Sequence, residues 1–304
     1  MKIFYSLIVL FNVSICFSQN ERDKRMGDLI KNQVLYEEIE KEDYFTVKNE
    51  LIVFENEFGY EPSYHFRLLL NSYNHRDIAY YKTHISILVE KYGYNVSNLK
   101  GTESYYQSII YGDLSKWFKK MYLKKHFDWL NNNFEKQVDL QILNDLKSND
   151  QFISNSIGEE IKELKLDSVQ TKKIDELSAK YYLQNLLEIE KIVKKRDIYP
   201  NDKNFALIQN GIDIVEFHNF QVPDNFEKTY NVLFNYYKKA YLKNEIRYSK
   251  FLNIDYHCYQ NFGYQKFGLI KISNLQKWQI KSETDPPIQN LEFQVNLKKE
   301  FKWF

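Results

Sequence analysis

Two polar side chains stand where the apolar periodicity of this sequence calls for carbon. Ile208, Ile212 and Val215 form one helical face, and His218 continues it three residues on. Tyr248, Leu252, Asp255 and Tyr259 form another, which places a carboxylate in an aromatic stripe. A carboxylate taken out of water is costly unless it is paired or hydrogen-bonded. By residue type, the nearest partners for Asp255 are His218, Gln265 or a backbone amide of the Gly263–Gly268 turn. If the partner is His218, the carboxylate fixes the imidazole tautomer, as a general base requires, and the pair is a candidate catalytic centre. If the partners are others, the same residues form a structural cluster that pins the C-terminal turn. The stretch "DYHCYQNFGYQKFG" (Asp255 to Gly268) is the natural place for such a turn, because it holds two of only nine glycines. We expect a helix end followed by a chain reversal that brings Gln265 near Asp255 and His218, with Asp150 and Gln151 arriving from the domain's first helices.

Other residues with chemical potential are less suitably placed. Cys258 and His257 are adjacent, and adjacent helical side chains point about 100° apart, so a nucleophile and base pair is disfavoured and an inert buried thiol is expected. His65, His75 and His84 do not have the i, i+4 spacing of a zinc-binding helix, and no metal site or cofactor is expected. There is no Gly-x-Ser-x-Gly elbow, Walker glycine loop or dinucleotide fingerprint.

The elements that must position these residues are helices. With nine glycines and five prolines in 304 residues, long stretches lack any breaker and carry a 3.6-residue apolar period. Leu114, Trp117, Phe118, Met121 and Tyr122 show it, as do Phe226, Tyr230, Leu233 and Tyr237. The fold class read from the sequence is mainly α. Residues 19–135 form a helical-hairpin, repeat-like region and 136–304 a helical domain. A long helix is expected from about Ser168 to Lys195, ended by Tyr199-Pro200. A short β-hairpin from Gln265–Ile272 and Gln276–Lys281 is the one departure.

Repetition is visible when Asp43–Glu61 is laid against Asp77–Asn95 at a constant offset of 34. Lys48 meets Lys82, Leu51 meets Ile85, and Phe58-Gly59-Tyr60 meets Tyr92-Gly93-Tyr94. That period is similar to tetratricopeptide-type helical hairpins, without their Trp and Ala signature positions. It implies a surface for a peptide or protein partner, or else two similar hairpins with no binding role.

In the C-terminal half, Asp150-Gln151, Ile198-Tyr199-Pro200, His218 and Asp255 with Gln265 to Gly268 occur in order. This order resembles a bacterial domain of unknown function marked by Asp-Gln, Gly-Trp-Pro, a helix-terminal His, and an Asp ten residues before Gln-x-Tyr-Gly. The match runs roughly from Leu140 to Phe304. It implies that Asp150, Gln151, Gln265, Phe267 and Gly268 line the same site as His218 and Asp255, and it implies no reaction. Here Ile198 stands for the glycine, Phe267 for the tyrosine and Leu269 for a hydroxylic residue, and no Arg closely follows Gln151. The hydroxyls that could transfer a proton in that loop are therefore lacking.

The first residues, with Lys2 before an apolar run from Ile3 to Phe11 and small residues at Cys16 and Ser18, have the pattern of a signal peptide over residues 1–18. Export to the periplasm or outside the cell is expected, with no membrane span, since no apolar run reaches about 20 residues. Cleavage after Ser18 would leave Cys258 as the only cysteine, which excludes an intramolecular disulfide framework. Acidic and basic residues nearly balance, with a formal charge of +1, and no nucleic-acid footprint is present. Two readings follow: an exported binding or interaction protein, or a hydrolase-like enzyme built on the His218, Asp255 and Gln265 group.

Overall fold

The computed structural model describes residues 22–27, 29, 39–99, 101, 103–164, 166–207 and 211–303; of residues 153–164, 274 and 278 only the backbone is described. Residues 1–18, where the signal peptide is expected, lie outside the described residues. The chain divides into two compact units. One comprises Glu21–Val138 with Pro200–Leu207, the other Asp139–Tyr199 with Ile208–Phe304.

The first unit includes the helices α1 (Lys41–Phe58), α2 (Pro62–Asn74), α3 (Ile78–Tyr92), α4 (Ser104–Ile110) and α5 (Ser115–Asn132). Tyr44, Val47, Leu51 and Phe54 recur along one face of α1 and are buried with Tyr64 and Leu68 of α2. A second cluster joins Tyr81, Ile85, Leu88 and Val89 of α3 to Tyr105, Ile109 and Phe118. The two segments related by the 34-residue offset are both helical and each stops at a glycine. Their caps differ. Gly93 is left-handed (φ 67, ψ 22), whereas Gly59 takes φ 84 and ψ 168. Asp77 caps α3 by accepting from the Tyr80 amide, while Asp43 lies within the first turn of α1. Asp77 also ties the helices laterally, accepting from Tyr44 Oη at 3.0 Å and Lys48 Nζ at 2.5 Å. The segment after Tyr199 belongs to this unit: the Leu207 amide donates to the Tyr92 carbonyl at 2.8 Å, and Lys203 Nζ to Glu61 at 2.5 Å.

The second unit holds α6 (Gln137–Leu164), α7 (Ser168–Arg196), α8 (Gly211–Gln221), α9 (Pro223–Leu242), α10 (Tyr248–Phe262) and α11 (Leu291–Phe301). Helix α7 starts on a capping box, in which Asp167 accepts from the Val169 and Gln170 amides at 2.8 Å and Gln170 answers to the Asp167 amide. It ends with Asp197 left-handed, just before Tyr199-Pro200. Gly211 opens α8 directly on α6, where a Cβ would lie 2.2 Å from the Leu143 carbonyl oxygen. Phe251 of α10 centres the core, 5.6 Å from Phe267, 5.1 Å from Phe301 and 5.2 Å from Trp303.

The fold is mainly α, and among the described residues there is no strand. The hairpin expected over Gln265–Ile272 and Gln276–Lys281 does not form. Single 3-10 turns occupy Ile272–Asn274 and Lys277–Gln279, and among the described residues the one ladder contact is a parallel bridge between Gln265 and Ile288. The reason is local. The Gln265 side chain accepts from the Ile270 amide at 2.8 Å, closing the loop on itself, while its backbone pairs with Pro287 and Gln289. Those groups are then unavailable to a neighbouring strand. Among the described residues no helix is long and apolar enough to cross a membrane.

Candidate functional site

The residues singled out by type fall into two separate clusters. The first is built from three helices of the second unit. His218 is in the last turn of α8, Asp150 on α6 and Asn185 on α7. His218 Nδ1 is hydrogen-bonded to Asp150 Oδ2, and Asn185 Nδ2 donates to Asp150 Oδ1 at 3.2 Å. The Tyr182 ring stacks on the imidazole at 4.6 Å. Asp150 is fully buried and the His218 side chain is 12% exposed. With Nδ1–H donating to the carboxylate, the neutral imidazole keeps its lone pair on Nε2, and among the described residues that nitrogen has no hydrogen-bond partner. This is the electronic arrangement of a general base, with Asn185 and Tyr182 fixing the pair. Gln151, next to Asp150 in α6, is half-buried, and its side chain makes no hydrogen bond among the described residues.

The second cluster is the Asp255 turn. Gly263 caps α10 in the left-handed conformation, and the chain folds back over the end of the helix. Asp255 Oδ1 accepts from the Lys266 amide at 2.7 Å and the Phe267 amide at 2.9 Å, and Oδ2 from the Leu269 amide at 2.9 Å. Gln265 completes the turn, its Nε2 donating to the Pro286 carbonyl at 2.8 Å. Phe267 is buried, and Gly268 takes φ 72, a left-handed conformation that other residues rarely adopt; a Cβ there would also displace the end of the Gln294 side chain, 2.2 Å away. Burial pushes the Asp255 carboxyl up to about 6, against the three amides and the Lys266 charge, which pull it down.

The structure thus gives His218 and Asp255 different partners. Asp150 holds the imidazole, and backbone amides hold Asp255. Of the three kinds of partner the sequence offered for Asp255, the amides are the ones present. Gln265 supports the same turn without bonding to Asp255 itself.

Elsewhere, the Cys258 thiol is buried and pushed up to about 12 by that burial, as an unreactive thiol would be. His257 is lowered to about 4, also by burial, and meets the Phe217 ring edge-on at 5.4 Å. In the first unit His65 and His84 stack at 3.8 Å. His65 bridges Tyr80 Oη at 2.6 Å and Glu55 Oε1 at 2.8 Å. Burial, then the neighbouring His65, lowers His84 to about 3. A separation of nineteen positions on two different helices gave no sign of this stack. Among the described residues no group of three His, Cys, Asp or Glu side chains could hold a metal ion.

The sequence reading passed over Asn185, Tyr182, Glu227 and Lys266. Asn185 and Tyr182 sit three apart on α7, a spacing that puts them on one face, but nothing in the sequence points that face at Asp150. Lys266 lies between the site candidates Gln265 and Phe267 and is 6% exposed, unusual for a lysine. The chain matches no protein-family model, no curated protein and no solved structure.

Proposed function

We propose that the protein is an exported helical binding protein, with its first unit serving a peptide or protein partner and the polar clusters of its second unit serving structure. One observation carries this reading: the groups that could have formed one catalytic centre are divided between two clusters, and Asp255 is sealed with three amides on its oxygens. Cavities of about 1090, 430 and 360 Å³ are lined by none of Asp150, Gln151, His218, Asp255 or Gln265. The partner surface is the outer face of α1, where Phe45, Ile52 and Val53 recur at i, i+7 and i+8 and are 37%, 41% and 59% exposed. The 34-residue period supports a tetratricopeptide-like arrangement of α1 to α3. Kinship with a bacterial domain of unknown function rests on the order in the sequence of Asp150-Gln151, Ile198-Tyr199-Pro200, His218 and Asp255 with Gln265 to Gly268. Export rests on the pattern of residues 1–18.

The test is a photo-crosslinking amino acid at Val53 of the full chain in the producing cell. A discrete adduct is expected at Val53 and none at the exposed Glu283 of the other unit. Unadducted protein should have the mass of a chain starting at Gln19. Equal labelling at both positions would sink the binding surface, and an uncleaved mass would sink export.

A second reading, a hydrolase-like enzyme, is favoured by the free Nε2 of the Asp150–His218 pair. If it is wrong, as proposed, hydrolysis of p-nitrophenyl acetate by the protein will equal that of His218→Ala. A His218-dependent excess over that variant would favour the enzyme.

A further inference from the structure

We propose that the second unit also contains a binding site for a small aromatic carboxylate, at the cavity of about 430 Å³ lined by Tyr230, Lys266, Gln289, Asn290 and Phe293. The carboxylate would take the place of Glu227 on the Lys266 ammonium, and the ring would lie against Tyr230 and Phe293. This site is independent of the partner surface on α1 and goes beyond it.

The argument starts from a lysine that the fold keeps out of water. The Lys266 side chain is 7% exposed. Its ammonium lies 4.4 Å from the centre of the Tyr230 ring and 5.7 Å from that of Phe226, so both rings face the charge. It donates to Gln289 Oε1 at 3.1 Å and to Glu227 Oε1 at 2.9 Å. Glu227 is the replaceable member, because its side chain is 48% exposed and an ion pair with one partner in water is weak. A carboxylate arriving through the cavity can exchange with it without leaving Lys266 unpaired, while the displaced Glu227 returns to solvent.

The surrounding structure fixes the lysine in advance. Asp255 holds the amides of Lys266 and Phe267, Gln265 ties the turn to Pro286 and Ile270, and Gly268 supplies the left-handed backbone the turn needs. A cation held this rigidly loses little freedom when a ligand binds, which favours affinity. Two aromatic rings and three polar side chains line it, a combination that can hold both an apolar body and a charged head, and the volume is within the usual range of roughly 300 to 1,000 Å³ for small-ligand sites. A neutral aromatic would gain nothing from Lys266, and a cation would be repelled by it and attracted by Glu227. The chemistry therefore selects an anion with a flat apolar body.

The test is titration of the full chain with benzoate, followed by ligand-observed magnetic resonance, with benzyl alcohol and benzylamine as neutral and cationic counterparts. Benzoate should bind, with the other two at least about tenfold weaker. Glu227→Gln, at an exposed position, should tighten benzoate binding about threefold to fivefold by removing the competing carboxylate. Lys266→Met should weaken it by at least about tenfold. Failure of benzoate to bind, equal binding of all three compounds, or no tightening in Glu227→Gln would each overturn the proposal, the last even if Lys266→Met fails to fold.

Discussion

Asp255→Ala is expected to lower the stability of the second unit by about 3 to 5 kcal/mol, or roughly 10 °C in its thermal midpoint. The variant leaves the amides of Lys266, Phe267 and Leu269 without their acceptor in a place water does not readily reach. Each buried orphan costs about 1 to 3 kcal/mol, and the three share one turn, so their sum is not strictly additive. Asp255→Asn should cost less, since one oxygen remains for Lys266 and Phe267 while the amide nitrogen faces the Leu269 donor. The pH dependence has a definite sign. The folded carboxyl is raised from 3.8 to about 6, so the native state keeps a proton that the unfolded chain has already lost. Stability from this group is full below about pH 4 and is lost as pH rises through about 6, by a total of about 3 kcal/mol. Denaturant unfolding of wild type and Asp255→Asn at pH 4.5 and 7.5 separates the effects. A wild-type pH profile identical to that of the Asn variant would refute the titration, and an unchanged midpoint in Asp255→Ala would refute the structural role of the turn.

What the sequence discloses about this turn is the need, and what it conceals is the partner. An acid in an aromatic stripe requires a hydrogen-bonding partner, and glycines at 263 and 268 permit a sharp reversal; both have positive φ in the structure. Choosing among His218, Gln265 and the turn's amides depends on how far the chain returns along α10, which no periodicity encodes. The same limit applies to His218. Asp150 is 68 positions away on another helix, and its polarity looks ordinary in a run of Ser, Asn and Asp until the fold buries it completely. Helix α7 is the opposite case. Its start, stop and buried face all follow from local chemistry, and the observed Ser168–Arg196 differs by one residue from the expected end. The β-hairpin failed because alternation over six to eight residues says nothing about where the Gln265 side chain will bond.

The division into units shows a similar contrast. Polar "NNNFEKQ" suggests a boundary near residue 135, and α6 begins at Gln137. Nothing in Pro200–Leu207 announces that it belongs with the first unit, because its ties include a backbone bond to Tyr92, the pairs Lys203 with Glu61 and Ser63 with Asp202, and the packing of Leu207 on that unit's core. The pairs are of common surface residue types, and their meaning is entirely three-dimensional.

Lys250→Met is the second substitution with a large expected effect, about 3 to 5 kcal/mol, because it would strand a buried carboxylate. Glu216 is 3% exposed and accepts from Lys250 Nζ at 2.5 Å and from Tyr199 Oη at 2.8 Å. Lys250 also pairs with the exposed Asp213 at 2.6 Å and lies 5.4 Å from the centre of the Tyr199 ring and 5.8 Å from that of Tyr237. Asp213 can be solvated when the lysine is gone, but Glu216 cannot. Burial already raises the Glu216 carboxyl above its ordinary value, with Lys250 opposing that rise, so removing Lys250 raises it further. For a group raised on folding, stability is complete below the unfolded pKa and falls as pH increases. The deficit of Lys250→Met should therefore be small near pH 4 and reach its full size by pH 7. Adding Glu216→Gln removes the stranded charge and keeps an acceptor for Tyr199, so the double variant should be more stable at pH 7 than Lys250→Met alone. Urea unfolding of the two variants at both pH values measures this directly. A double variant no more stable than the single one, or a Lys250→Met deficit of equal size at pH 4 and pH 7, would show that Lys250 acts through packing of its alkyl chain against Tyr199 and Tyr237 and not through charge.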